Sequence, residues 1–144
     1  MDTVEKQNKI SEYLDAGNFK AASIHLRSLT KFLKKFNTTD YSDYWANLVL
    51  LARIQLRELD DPPAAEATLL EAVDFFRETV TAPTAHCLES MTSAIMMLGE
   101  IFEDSGRNKE ANDIYNYLLN IYEKTANQDH PMVTTLNESI ERVS

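Results

Sequence analysis

The chain has 144 residues, 44% of them hydrophobic and 26% charged, which is the composition of one globular domain and not of a disordered segment. Its net charge of −9 argues against nucleic-acid binding. The sequence also lacks the run of about 18 apolar residues that a membrane-spanning helix needs. Cys87 is the only cysteine, so an intrachain disulfide framework is excluded and a cytoplasmic location is expected.

The charge is divided unevenly along the chain. Residues 1–39 hold seven Lys/Arg against four Asp/Glu, a net +3, whereas residues 40–144 hold seven against nineteen, a net −12. Such an asymmetry influences which partners the chain can bind and says little about its fold. It allows self-association, in which the basic start of one copy contacts the acidic end of another.

Apolar residues recur at three- and four-residue spacing in three segments, which indicates one helical stripe in each segment. The stripes consist of Ala22, Leu26, Leu29, Leu33 and Phe36, then Ala65, Leu69, Ala72, Phe76 and Val80, then Ala111, Tyr115, Leu118 and Tyr122. A break precedes each stripe, at residues 17–18, 60–63 and 106–108, and another helical segment precedes each break. The pattern therefore predicts three helical hairpins.

The hairpins, at residues 2–36, 40–80 and 84–126, form a repeat within one domain of residues 1–144. Their equivalent alanines are 43 and 46 residues apart, a period typical of helical repeat arrays.

Polar and turn-forming residues mark the connections after each hairpin, which we predict at residues 37–43, 81–84 and 126–131. The sequence predicts one more helix over residues 131–143. Its polar outer face suits a terminal helix that closes the exposed core of an array.

The glycines of the third hairpin have two predicted roles. Gly99 lies in mid-helix on an apolar face, where glycine costs about 1 kcal/mol relative to alanine. We predict that the facing helix, through Ala111, approaches there too closely for a β-carbon. Gly106 is predicted to end its helix in the left-handed conformation.

The third hairpin resembles the tetratricopeptide repeat (TPR), whose pattern is a large apolar residue, Leu-Gly, an aromatic residue, and Ala followed four residues later by an aromatic residue. The residues that carry this pattern are Ile95, Leu98, Gly99, Phe102, Ala111 and Tyr115. The long period and Asp129-His130-Pro131 are similar to the extended repeats of kinesin light chains. The resemblance implies an all-α fold, a right-handed α-α superhelix of three TPR-like hairpins plus a C-terminal capping helix, seven helices in all.

The sequence departs from the family pattern in three places. Lys6 and Lys9 stand where the first helix of a repeat has large apolar residues, and the middle hairpin fits only if its connection carries one extra residue. The family groove that clamps the C-terminal carboxylate of chaperones uses Lys and Asn, where this chain has Gln7 and Ser11. The resemblance therefore does not extend to that ligand.

Proteins of this family use the first helix of each pair to line a concave groove, and helical spacing identifies the face that is turned away from the paired helix. The residues that we predict to bind a partner there are Gln7, Ser11, Val49, Arg53, Arg57, Met96, Glu100, Glu103 and Asn137. At least one of Met91, Met96 and Met97 is expected in the core, whereas an exposed Met would suit an adaptable binding surface.

The charges of the predicted groove have two interpretations each. Arg53 and Arg57 are a like-charged pair four residues apart. They either pair with Glu100 or Glu103 across the groove or bind an acidic group of a ligand. Glu103 and Asp104 end a helix, where negative charge opposes the macrodipole, so they form either a solvated helix end or an acidic patch for a basic partner.

The sequence contains no constellation for catalysis or metal binding. His25, His86 and His130 belong to separate hairpins and have no ligand partner three or four residues away. A glycine-rich phosphate loop and a nucleophile elbow are also missing from the sequence. We therefore predict a protein that is not an enzyme and holds no cofactor or metal.

The predicted function is that of an adaptor or scaffold, which binds a peptide or helix of another protein in the concave groove. A basic or amphipathic segment is the expected partner. The alternative is a chaperone of the secretion type, which would shield apolar segments of an exported protein. The longer repeat period weighs against that alternative, since secretion chaperones with such arrays usually have a tighter one.

Overall fold

The computed structural model describes residues 3–36, 41–125 and 129–144, and these ranges contain helices and no strand. The helices are α1 Thr3–Asp15, α2 Phe19–Phe36, α3 Ser42–Arg53, α4 Pro62–Thr79, α5 Ala85–Asp104, α6 Asn108–Lys124 and α7 Pro131–Val143. The all-α prediction with seven helices is thereby confirmed. Residues 37–40 of the first predicted loop and residues 126–128 of the third lie outside the described residues.

The described helices pack in chain order, each against the next, and α3 also packs against α5. The three alanines that mark the repeat, Ala22, Ala65 and Ala111, have no exposed surface. Each lies in the second helix of its hairpin, so the predicted core positions of the three alanines are confirmed, whereas Phe36 at the end of the first stripe is exposed. Contacts between neighbours in sequence are what a repeat array requires, because no single hairpin can bury both of its faces.

Side chains that precede four helices cap them and fix where they begin. Asn18, Asp61 and Thr84 each accept a hydrogen bond, at 3.2 Å, from the backbone N–H three residues later. His130 accepts one through Nδ1 from the backbone N–H of Met132, at 3.0 Å. These bonds satisfy N–H groups that have no partner inside the helix.

The first and third hairpins turn through the same motif. Gly17 and Gly106 have φ of +72° and +75°, in the left-handed region that favours glycine. In each turn the glycine N–H donates to a carbonyl three residues back, and the next N–H donates to one five residues back. This pair of bonds is the Schellman motif, so the predicted role of Gly106 is confirmed.

The middle hairpin makes the equivalent turn without glycine. Asp60, five residues before Ala65, stands where the other hairpins have Gly17 and Gly106 and has a φ of +49°. Before it, α3 continues into a π-helical turn over Ile54–Glu58. A π turn takes one residue more than an α turn, so it absorbs the extra residue that the family pattern required here.

The structure corrects the predicted reason for Gly99. A β-carbon at this position would collide with the outer ring atoms and hydroxyl of Tyr115, not with the backbone of the facing helix. Tyr115 is buried on α6, four residues after Ala111. The missing side chain of Gly99 therefore makes room for the tyrosine ring to pass beneath α5.

Aromatic side chains join α3 to α4. Phe75 packs edge-on against Tyr41 and Tyr44, with ring centroids 5.0 and 5.2 Å apart, and Trp45 lies beside them. The Tyr44 hydroxyl and the indole N–H of Trp45 are buried and have no hydrogen-bond partner among the described residues. Burial also raises the pKa of Tyr44. Each unpartnered group costs about 1–3 kcal/mol, which the aromatic packing must offset.

Candidate functional site

The first candidate site is a cavity of about 500 Å³ between the C-terminal halves of α3 and α5. Its lining residues are Arg53, Arg57, Ser93, Met96, Met97, Glu100, Glu103, Asp104, Tyr115 and Arg142. Five residues of the predicted groove, Arg53, Arg57, Met96, Glu100 and Glu103, thus lie together around one cavity.

An ion pair crosses this cavity. The guanidinium of Arg57 lies 2.6 Å from the carboxylate of Glu100, so one of the two predicted pairings across the groove is present. About half of the Arg57 side chain and two-fifths of the Glu100 side chain remain exposed. Ion pairs that are this accessible to solvent contribute at most about 1 kcal/mol to stability. The pair therefore positions α3 against α5 more than it stabilises them.

Glu103 is the most heavily engaged carboxylate of the cavity. Nε and Nη2 of Arg142 donate to its two oxygens at 2.8 and 2.9 Å, and the hydroxyl of Tyr115 donates to it at 2.5 Å. The hydrogen bonds from Arg142 hold the pKa of Glu103 below its usual value, whereas burial and the neighbouring carboxylate raise the pKa of Tyr115. Arg142 thus ties the last helix to the wall of the cavity.

Two charged residues of the same cavity have no charged partner among the described residues. Arg53 and Asp104 are both exposed and take part in none of its ion pairs. Of the two predicted interpretations, a solvated helix end fits Asp104 but not Glu103, which is paired. Among the described residues that line this cavity, Arg53 is thus an exposed arginine that takes part in no ion pair.

Two further cavities lie beside this one, toward the N-terminal ends of α3 and α5. One, of about 330 Å³, lies between these helices and includes Asp43, Val49, Glu89 and Ser93. The other, of about 580 Å³, lies between α5, the end of α6 and the start of α7. Ser93 lines all three cavities, so they adjoin at this residue, and we call the three cavities together the groove.

Two residues that line the largest of the three cavities, Thr92 and Tyr122, are joined by a hydrogen bond. The hydroxyls of Thr92 and Tyr122 are 2.7 Å apart and buried. The ring of His130 packs on Tyr122, with centroids 5.0 Å apart, while Leu88 and Met132 supply apolar lining. This part of the groove suits an apolar side chain of a partner.

The structure separates the other predicted site residues from this group. Val49 lines the adjoining cavity but is largely buried, so it forms floor and not an exposed contact. Gln7 and Ser11 are exposed on α1, and Asn137 is exposed on α7. None of these three residues lines the cavities that share Ser93. Of the methionines, Met91 and Met97 are buried and Met96 is half-buried, so the expectation that at least one fills the core is confirmed.

Sequence reasoning missed Tyr115 and Arg142 as groove residues. Tyr115 was assigned to the core, and only its hydroxyl reaches the cavity. Arg142 lies on the last predicted helix, whose polar outer face gives no indication that one of its residues reaches the cavity. A signal for it existed, because the carboxylate of Glu103 opposes the macrodipole at the end of α5 and gains from a nearby cation.

Comparison with protein-family models and with curated protein sequences gave no match. Within the described ranges, no helix is both long and apolar enough to cross a lipid bilayer. The same ranges contain no group of three or more His, Cys, Asp or Glu side chains that could hold a metal ion.

Proposed function

We propose that this chain is a TPR-like adaptor, which binds a peptide or helix of another protein in the groove. The observation that carries the proposal is the pair of adjoining cavities between α3 and α5, with Arg53, which forms no ion pair among the described residues, in their lining. The packing of the helices in chain order, the repeated left-handed turns and the buried repeat alanines support the TPR-like assignment.

The groove suits a polypeptide better than a small molecule. Its cavities line both halves of α5, two of them beside the N-terminal half and one beside the C-terminal half, and α5 is 20 residues long and therefore about 30 Å in length. Half-buried Met96 offers an adaptable apolar contact in the middle of charged residues. An elongated surface of this kind is matched by a helix or an extended segment.

An adaptor is favoured over the secretion-type chaperone by the chemistry of the lining. The cavity of about 500 Å³ contains six charged side chains, three Arg and three Asp/Glu, and its apolar side chains Met96 and Met97 lie between them. Shielding of apolar segments needs a broad apolar surface. A groove whose cavity of about 500 Å³ is charged, and whose apolar lining is confined to the neighbouring cavity and two methionines, instead selects a partner largely by its polar groups.

The test is affinity capture of partners with quantitative mass spectrometry, using the wild type and the groove variants Arg53→Glu and Glu100→Lys. The matched controls are Lys31→Glu on α2 and Glu123→Lys on α6, which make the same changes at exposed positions outside the groove. Circular dichroism and thermal unfolding must show that every variant is folded.

We expect one or more partners that the wild type and both controls retain and both groove variants lose. A set of partners that all bind the groove variants as well as they bind the wild type would refute the proposed site.

A further inference from the structure

The groove presents charges that its own residues do not neutralise. Arg57 pairs with Glu100, and Arg142 pairs with Glu103. Within the described part of the chain, the charged groove residues that take part in no ion pair are Asp43, Glu89, Arg53 and Asp104. A partner segment would meet these four charges first, because the paired ones already satisfy each other.

The order of the unpaired charges along the groove follows from the register of α3 and α5. The bond between Arg57 and Glu100 relates positions 43 residues apart. Val49 and Ser93, 44 residues apart, line a cavity together. The two helices therefore run side by side in the same direction, and Arg53 lies at the level of Met96.

The charges alternate along this axis. Asp43 and Glu89 lie at one end, Arg53 in the middle, and Asp104 at the other end. Counted along α5, the seven residues from Glu89 to Met96 span about 10 Å, and the eight from Met96 to Asp104 span about 12 Å. The groove thus carries a negative, a positive and a negative site, roughly 10 Å apart.

We infer that the partner segment carries the complementary order: a Lys or Arg, then an Asp or Glu, then a Lys or Arg. In a helical partner these residues are about seven and eight positions apart, which places them on one face. The inference rests on the proposed function and specifies which polypeptides the groove accepts.

The helix dipoles of α3 and α5 explain only part of this order of charges. Asp43 lies in the first turn of α3, where the helix dipole favours a carboxylate. Asp104 ends α5, where the dipole opposes one, and Arg53 lies one turn from Arg57 without a carboxylate of its own. The unfavourable placements of Asp104 and Arg53 would be relieved by a partner with the opposite charges.

The test is selection from a displayed random library of helical peptides of about 20 residues, long enough to span about 30 Å. Peptides selected on the wild type are counter-selected on Ser93→Trp, in which a bulky neutral side chain blocks the junction of the three cavities. Met96→Arg serves as a second blocking variant. Peptides that lose binding to a folded blocking variant are groove binders.

Groove binders are then measured against Arg53→Glu, Glu89→Lys and Asp104→Lys, with Lys31→Glu and Glu123→Lys as controls. We expect the selected peptides to share the order of basic, acidic and basic residues. Arg53→Glu should weaken them about 10-fold, and replacing the central acidic residue of the peptide by Lys should restore binding to that variant. The controls should change affinity less than about twofold.

Two other outcomes distinguish a failure of this inference from a failure of the proposed function. Groove binders without the charge order, or with unchanged affinity for Arg53→Glu, would overturn this inference and leave the proposed function standing. If every selected peptide binds the folded blocking variants as it binds the wild type, the groove is not a peptide site, and both proposals are wrong.

Discussion

Gly99→Ala tests whether Tyr115 is the reason for glycine in the middle of α5. Alanine is favoured over glycine in a helix by about 1 kcal/mol. Against this, the new methyl group would collide with the buried ring of Tyr115, and overfilling a packed core costs about 1–3 kcal/mol. A displaced ring would also weaken the hydrogen bond from its hydroxyl to Glu103, at a further cost of about 1 kcal/mol.

The sum predicts that Gly99→Ala lowers the free energy of unfolding by about 1–3 kcal/mol. Denaturant titration followed by circular dichroism measures this directly. The sharper test repeats the substitution in a Tyr115→Leu background, because leucine ends before the ring atoms that collide. There the helix preference acts alone, and Gly99→Ala should raise the free energy of unfolding by up to about 1 kcal/mol.

Gly106→Ala provides the control. A β-carbon there has no neighbouring atom within 4 Å, but the positive φ opposes any side chain. The substitution should cost about 1 kcal/mol in both backgrounds. If Gly99→Ala stabilises the wild type, or costs the same with and without Tyr115, the tyrosine ring is not what excludes a side chain at this position.

Three further results are expected in equilibrium unfolding. Asp60→Gly should raise the free energy of unfolding by about 0.5–1 kcal/mol, because glycine adopts the left-handed φ of this turn without strain. Tyr44→Phe should stabilise by about 1 kcal/mol, since it removes a buried hydroxyl without a partner, whereas Tyr122→Phe should destabilise by a similar amount, since its hydroxyl is bonded. The carboxylate of Glu103 has its pKa lowered by Arg142, so it stabilises the fold above the unfolded value of about 4.5, and this stabilisation is lost as the pH falls through the lower folded value. Glu103→Gln should therefore lose less stability than the wild type between neutral pH and about pH 3.

Each of these results has a counterpart that would contradict it. A loss of stability in Asp60→Gly would mean that the Asp60 side chain supports the turn. Stability changes of the same sign in Tyr44→Phe and Tyr122→Phe would mean that hydrogen bonding does not distinguish the two hydroxyls. Equal acid sensitivity of Glu103→Gln and the wild type would mean that other carboxylates control unfolding in acid.

The helices and their core faces were predictable because each depends on short-range spacing. The stripes through Ala22, Ala65 and Ala111 repeat every three or four residues, and the turns at Gly17 and Gly106 use a residue with one conformational advantage. The sequence indicated the π-helical turn only as one extra residue in the connection of the middle hairpin. Helical spacing does not show where an insertion is placed, since a longer loop and a widened turn give the same sequence length.

The groove was predictable in part. Arg53, Arg57, Met96, Glu100 and Glu103 were found because they share faces of two neighbouring helices. The contribution of Arg142 depends on how α7 packs on the preceding hairpin, and that packing is a long-range property. Gln7, Ser11 and Asn137 lie on α1 and α7, outside the three cavities, because within the described ranges α1 packs chiefly against α2, and α7 chiefly against α6, rather than against α3 or α5.

The ion pairs show what the repeat period could have added to the prediction. Four of the pairs described in the structure join residues about one repeat apart. They are Arg27 with Glu71, Arg57 with Glu100, Arg107 with Glu66, and Arg142 with Glu103, at separations of 44, 43, 41 and 39 residues. A helical array stacks equivalent positions side by side, so opposite charges separated by one period become neighbours. By the same rule, Arg53 forms no ion pair among the described residues because Met96, and not a carboxylate, stands 43 residues further along the chain.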